Sequence, residues 1–220
     1  MMKNSDSQLS YLSKRNKNYN KKYSILQTII DKDIKTNSKI LELFGGVGIT
    51  TYLLQKYANP IYHKIFEIDE ECYKLLKQNF DNCEILKSDS DILIEEDFNV
   101  YNYIFHDRSF TPKKISELSK FINFKGKIIL TDTGIFNLKF NKNRNVFNYF
   151  NELNTKLLEF GFYINKAFFT FEFSILIISK TKTKIEIIDC NNDKFNNDEW
   201  KRYVIKYIYH KQETFKLFTL

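Results

Sequence analysis

The sequence predicts an α/β protein with a largely parallel sheet covered by helices on both faces. Two observations predict it. From residue 39 onward, short apolar segments of strand length alternate with segments whose apolar residues recur at helical spacing. The chain also has only six glycines, and these collect at the first strand–helix turn and at the boundaries of later elements. With 220 residues, 43% of them hydrophobic, the chain can bury one core with modest additions.

Residues 1–22 are polar and basic. Lys14, Arg15, Lys17, Lys21 and Lys22 are interleaved with Tyr11, Tyr19 and Tyr23, as in a solvated arm or a strip that meets a polyanion. In 23–35 (YSILQTIIDKDIK), Ile25, Leu26, Ile29 and Ile30 share one helical face. KILELF is then a strand and TTYLLQKYA a helix. IYHKIFEI is a strand, and EECYKLLKQNF is a helix with Tyr73, Leu76 and Phe80 in phase. CEILKS and NVYNYIFHD are strands, KKISELSKFI is a helix and KGKIILTDT a strand. RNVFNYFNELNTKLLEF is a long amphipathic helix, and GFYINKAFF with FEFSILIISK form a terminal strand pair. Beyond them lie an extra strand (KIEIID), an Asn/Asp-rich loop and a helix around WKRYVIKYIYHKQ. The expected division is 1–38 as arm and helix, 39–180 as the α/β domain and 181–220 as an extension.

Composition narrows the function classes. Apolar runs such as SILIIS are far shorter than the ~20 residues of a membrane helix. MMKNSDSQLS lacks the apolar core of a signal peptide, so a cytoplasmic location is expected. Cys72, Cys83 and Cys190 are odd in number without a CxxC, and His63, His106 and His210 are scattered, so neither a disulfide framework nor a metal site is expected. The net charge is +7, a balance that suits a nucleic-acid partner. Lysine-rich coding in an AT-rich genome would produce the same charge.

The chemistry concentrates in LELFGGVGITT, residues 41–51. A glycine turn between strand and helix lets a ligand approach the main chain, and the helix start behind it favours an anionic group. A dinucleotide fingerprint would end in a third glycine, where this chain has Thr51, and the P-loop pattern is absent. The turn resembles the first motif of the class I S-adenosylmethionine-dependent methyltransferases. Glu42, Gly46 and Gly48 match its acid and last two glycines, and Phe44 stands in place of the first glycine, a variant common among enzymes acting on RNA and DNA. The resemblance implies a doubly wound, seven-stranded, mostly parallel sheet whose last strand is antiparallel. It also implies that the backbone of Phe44, Gly45, Gly46 and Gly48 lies against the methionyl part of S-adenosyl-L-methionine, with Glu42 meeting its ammonium.

The family's next motif is an acid at the tip of the second strand that binds the ribose hydroxyls. In IFEIDEE this matches Glu67, with Asp69 as the near alternative and the natural cap of the following helix. An adenine-side acid matches Asp89, with Ser88 beside it and Asp91 a weaker candidate. Ile68 and Ile92 would be apolar walls for the ring. The stretch after the fourth strand, YIFHDRSFTP, carries neither the Pro-Pro motif of amine-methylating enzymes nor the Pro-Cys nucleophile of cytosine C5 enzymes. Asp107 and His106 are the catalytic candidates there, as carboxylate and general base. Arg108 would meet a phosphate, Phe110 would stack on a base, and Asp132 in TDTGIF would border the acceptor. The expected function is methyl transfer to RNA or DNA. The alternatives are a small-molecule or protein methyltransferase, an aminopropyl-type transferase, or a cofactor-binding subunit without catalysis.

Overall fold

The computed structural model describes residues 16–88, 97–107, 112–131, 145–170, 173–191, 195, 199–204 and 206. The chain forms two compact units interleaved in sequence. The first draws on Met1–Asn37, Phe44–Asp91 and Phe195–Leu220, the second on Ser38–Leu43 and Ile92–Lys194. Among the described residues there are eight strands, and those of the second unit are hydrogen-bonded in the order Lys39–Leu43, Tyr101–His106, Ile122–Leu130, Ser174–Ser179, Tyr163–Phe169, Glu186–Asp189.

In the second unit, β1 (Lys39–Leu43), β4 (Tyr101–His106) and β5 (Ile122–Leu130) run parallel, with Leu43 opposite His106 and His106 opposite Leu130. Four of the five β1 residues are buried, and all six of β7 (Ser174–Ser179) are. Burial on both faces gives continuous apolar runs instead of alternation. β7 lies antiparallel to both β5 and β6 (Tyr163–Phe169). The eighth strand corrects the expectation of seven. Residues Glu186–Asp189 form β8, parallel to β6 from Lys166↔Glu186 to Phe169↔Asp189. KIEIID therefore belongs to the sheet, and it pairs backbone groups of β6 that would otherwise form an open edge. β7 is the antiparallel strand, although it is no longer the last in the chain.

Two helices are described in this unit, α4 (Pro112–Leu118) and α5 (Val146–Leu158). Asn145 caps α5 by accepting from the amides of Phe147 (2.9 Å) and Asn148 (3.2 Å), and Tyr149, Phe150, Leu153 and Leu157 form its buried stripe. Gly161, at φ 74, ends the helix in the left-handed conformation that glycine adopts without strain.

In the first unit, α1 spans Asn16–Asp33, starting ahead of the Tyr23 at which the apolar pattern begins. The earlier turns carry only polar residues and Tyr19, so periodicity has nothing there to register. α2 (Ile49–Leu53) continues as a π-helical turn over Leu54–Ala58. β2 (Tyr62–Phe66) and β3 (Glu84–Leu86) pair in parallel around α3 (Glu70–Asn79), and α6 (Glu199–Tyr203) completes the unit. Cys72, Cys83 and Cys190 are buried thiols that form no disulfide with one another. Among the described residues no helix is long and apolar enough to cross a membrane.

Candidate functional site

The glycine turn is fastened to the end of β2. The amides of Phe44 and Gly45 both donate to the Phe66 carbonyl, at 2.9 and 3.1 Å. The next amide, of Gly46, donates to Glu67 Oε2 at 2.6 Å, and Glu67 Oε1 accepts from the Asp69 amide at 2.7 Å. The Glu67 amide in turn donates to the Leu86 carbonyl of β3 at 3.1 Å. Glu67 is 1% exposed, and its carboxylate and amide together tie the turn, the end of β2 and β3. Two of its roughly four acceptor positions are used by these amides, which leaves capacity for hydroxyl groups.

Backbone signs alternate along the turn. Phe44, Gly46 and Gly48 have φ of 65°, 54° and 87°. Phe44 thus adopts the conformation that glycine would take at the position it replaces. For a residue with a Cβ this costs about 1–2 kcal/mol. Such strain persists where the surroundings over-determine it, and it clusters at ligand-binding sites.

The glycines answer to packing as well as to any ligand. A Cβ on Gly45 would lie 2.7 Å from Ile65 Cγ2 and 2.9 Å from Leu76 Cδ1. A Cβ on Gly48 would lie 2.6 Å from the Tyr203 hydroxyl and 2.8 Å from Phe80 Cε2. At both positions the close approach made possible by glycine is toward the chain's own interior.

Asp69 caps α3, accepting from the amides of Glu71 (3.1 Å) and Cys72 (2.9 Å), as its place after the strand predicts. Ile68, between the two acids, is 53% exposed and offers an apolar surface next to Glu67. Ser88 is half-buried just beyond β3. Asp89, Asp91, Ile92, Arg108, Phe110 and Asp132 lie outside the described residues.

In the second unit, Glu42 is buried within β1, opposite Phe105. His106 is 2% exposed and sits between Leu43 and Leu130 in the parallel strands. Asp107 is half-buried at the end of β4, and the Thr131 hydroxyl at the end of β5 donates to its Oδ1. The Thr131 amide donates to the His106 carbonyl at 3.1 Å, which fixes the two strand ends together. Thr131 is the partner that sequence reasoning did not assign to Asp107. Its signal was its place as the first residue past a parallel strand.

Tyr203 was also missed. Its hydroxyl donates to the Val47 carbonyl at 2.8 Å, and its ring stacks on Tyr52 (centroids 5.0 Å) and Phe80 (5.8 Å). Its helix is anchored by Glu199, which accepts from the Tyr52 hydroxyl at 2.9 Å and pairs with Lys56 at 2.5 Å. The Lys56 ammonium holds the Glu199 carboxyl below the usual carboxylate range. Burial first, and then the Glu199 bond, push the Tyr52 phenol up.

Neither a protein-family model nor a curated protein sequence matches the chain. Solved structures do. The fold is similar to that of ribosomal protein L11 methylase from Lactobacillus delbrueckii subsp. bulgaricus, with a TM-score of 0.54 and 15% identity over 73% of this chain and 77% of that one. A protein from Methanococcus maripaludis, presented as an S-adenosyl-L-methionine-dependent methyltransferase, gives 0.56 and 17% over 81% and 93%. Mitomycin 7-O-methyltransferase gives 0.54 and 12% over 72% and 53%. At these identities the likeness is one of fold. The chain has the Rossmann-like fold of the class I S-adenosylmethionine-dependent methyltransferases.

Proposed function

We propose that the chain is an S-adenosylmethionine-dependent methyltransferase whose acceptor is RNA or DNA. The observation that carries this reading is the left-handed Phe44 in a turn whose Gly46 amide is held by a strand-tip carboxylate. Phe44 takes a conformation that favours glycine, where the family's first motif has one, and Glu67 matches the family's ribose acid by resemblance. When bound, the cofactor supplies a methyl group already activated on a sulfonium.

The chain's own residues bind and align. Glu67 accepts from the ribose hydroxyls with its remaining lone pairs, at roughly 1.5–3 kcal/mol per charge-assisted bond. Ile68 covers the adenine, with Ser88 and Asp89 at its edge. The backbone of Phe44, Gly45, Gly46 and Gly48 and the Glu42 carboxylate serve the methionyl end. Asp107, oriented by the Thr131 hydroxyl, accepts a proton from the acceptor amine or holds that amine in line. His106, at the end of β4 beside Asp107, is the candidate general base. Arg108, Phe110 and Asp132 are assigned to phosphate, base and acceptor wall.

The nucleic-acid acceptor rests on the net charge of +7, the basic segment before α1 and the phenylalanine variant of the turn. A second reading, transfer to an amine of a small molecule or protein, draws on the same Asp107–Thr131 bond. Incubation with methyl-labelled cofactor and separate RNA, DNA and protein fractions tests both. Label in RNA or DNA, falling steeply with added salt, supports the first. Label only in protein or small molecules contradicts it.

A further inference from the structure

We infer that Tyr203 is a positioning residue for the cofactor turn, so that cofactor affinity depends on a hydroxyl carried by the C-terminal helix. The inference rests on the methyltransferase reading of that turn. The Val47–Gly48 peptide is held at both of its polar ends. Its carbonyl accepts from Tyr203 at 2.8 Å, and its N–H donates to the Gly45 carbonyl at 3.0 Å. Earlier in the turn, the Gly46 amide is held by Glu67. Tyr203 and Glu67 therefore fix the Val47–Gly48 and Gly45–Gly46 peptides, with one peptide between them, in the segment that the methionyl end would touch.

The fit around the hydroxyl is specific to this helix. Gly48 leaves the space that the Tyr203 oxygen occupies, since a Cβ there would stand 2.6 Å from it. The ring is clasped by Tyr52 and Phe80. Glu199 fastens the helix to Tyr52 and Lys56, and Trp200 packs on Tyr23 at 5.3 Å between centroids. A helix held at several points aims a single donor at the turn. If its role were packing alone, phenylalanine would serve as well.

Tyr203→Phe removes that donor and keeps the ring. The chain has one tryptophan, Trp200, buried in the same helix, so its emission reports whether the helix is docked. Titration with S-adenosylhomocysteine should show about five- to tenfold weaker binding by Tyr203→Phe. Trp200 emission should match the wild type, and the unfolding midpoint should fall by no more than about 4 °C. Leu157→Ala, in the buried stripe of α5, is the packing control. It should lower the midpoint further while leaving the dissociation constant within about twofold of wild type. Unchanged affinity in Tyr203→Phe would overturn the inference. So would weaker binding accompanied by loss of the Trp200 signal, or an equal loss of affinity in Leu157→Ala. A wild-type protein that binds neither S-adenosylhomocysteine nor S-adenosylmethionine would overturn the methyltransferase reading and this inference with it. Binding by wild type and variant alike would overturn this inference alone.

Discussion

At the scale of single residues, Glu67 has two roles that substitution separates. It holds the amides of Gly46 and Asp69, and it is the ribose acceptor of the proposed site. Glu67→Ala should weaken cofactor binding on the order of 10–100-fold and also destabilise the fold by about 1–3 kcal/mol, because two amides lose their acceptor. Calorimetric titration and thermal unfolding of the same variant check the two effects, and unchanged affinity in the folded variant would remove the ribose role. Phe44→Gly should keep the fold, since glycine reaches φ 65° without strain, whereas Gly48→Ala should cost roughly 2–4 kcal/mol from its φ of 87° and the collision with Tyr203. Equal unfolding midpoints for those two variants would contradict the packing account of Gly48. Asp107→Ala should spare cofactor affinity and lower turnover, and wild-type turnover would return Asp107 to a structural role. Much of this was legible in the sequence. The order strand, Glu67, Asp69, helix marks the first acid as a strand-tip group and the second as a cap, and both stand there. Tyr203 was not legible, because no local pattern announces a hydroxyl that meets Val47 from 156 residues away.

At the scale of elements, the strands were the most legible, since parallel strands buried on both faces read as continuous apolar runs. Helix starts were less so. α1 begins in a polar stretch with no stripe to mark it, and the π-helical turn after α2 has no composition of its own. The C-terminal helix supplies a prediction in pH. The Lys56 hydrogen bond is the main cause of the lowered Glu199 pKa, and burial opposes it. An acid whose pKa is lowered on folding stabilises the folded state above the ordinary carboxylate pKa, about 4.3, and that contribution is lost as pH falls through the folded value. Trp200 emission should therefore hold steady from neutral pH down to about 5 and change below it. Lys56→Met should move the change to higher pH. An identical profile in that variant would mean that the Lys56–Glu199 pair does not hold the helix in place.

At the scale of the whole molecule, strand–helix alternation made the α/β class legible, and the resemblance supplied the antiparallel strand and the expectation of seven strands. The eighth strand was visible as KIEIID, but a segment of alternating charge and isoleucine reads as readily as a tail as an edge strand. Its pairing with β6 is a long-range fact. The acceptor was the least legible feature. Methyl transfer from a sulfonium requires alignment more than a signature nucleophile, so among the described residues the evidence at the ends of β4 and β5 is a carboxylate and its threonine. The central claim is that the turn at 44–48 holds a methyl donor. The most direct test is calorimetric titration of the purified protein with S-adenosylmethionine and S-adenosylhomocysteine, with NAD as comparator. The account predicts binding of the first two, in the micromolar range, and none of NAD. Binding of NAD alone, or of none of the three, would contradict it.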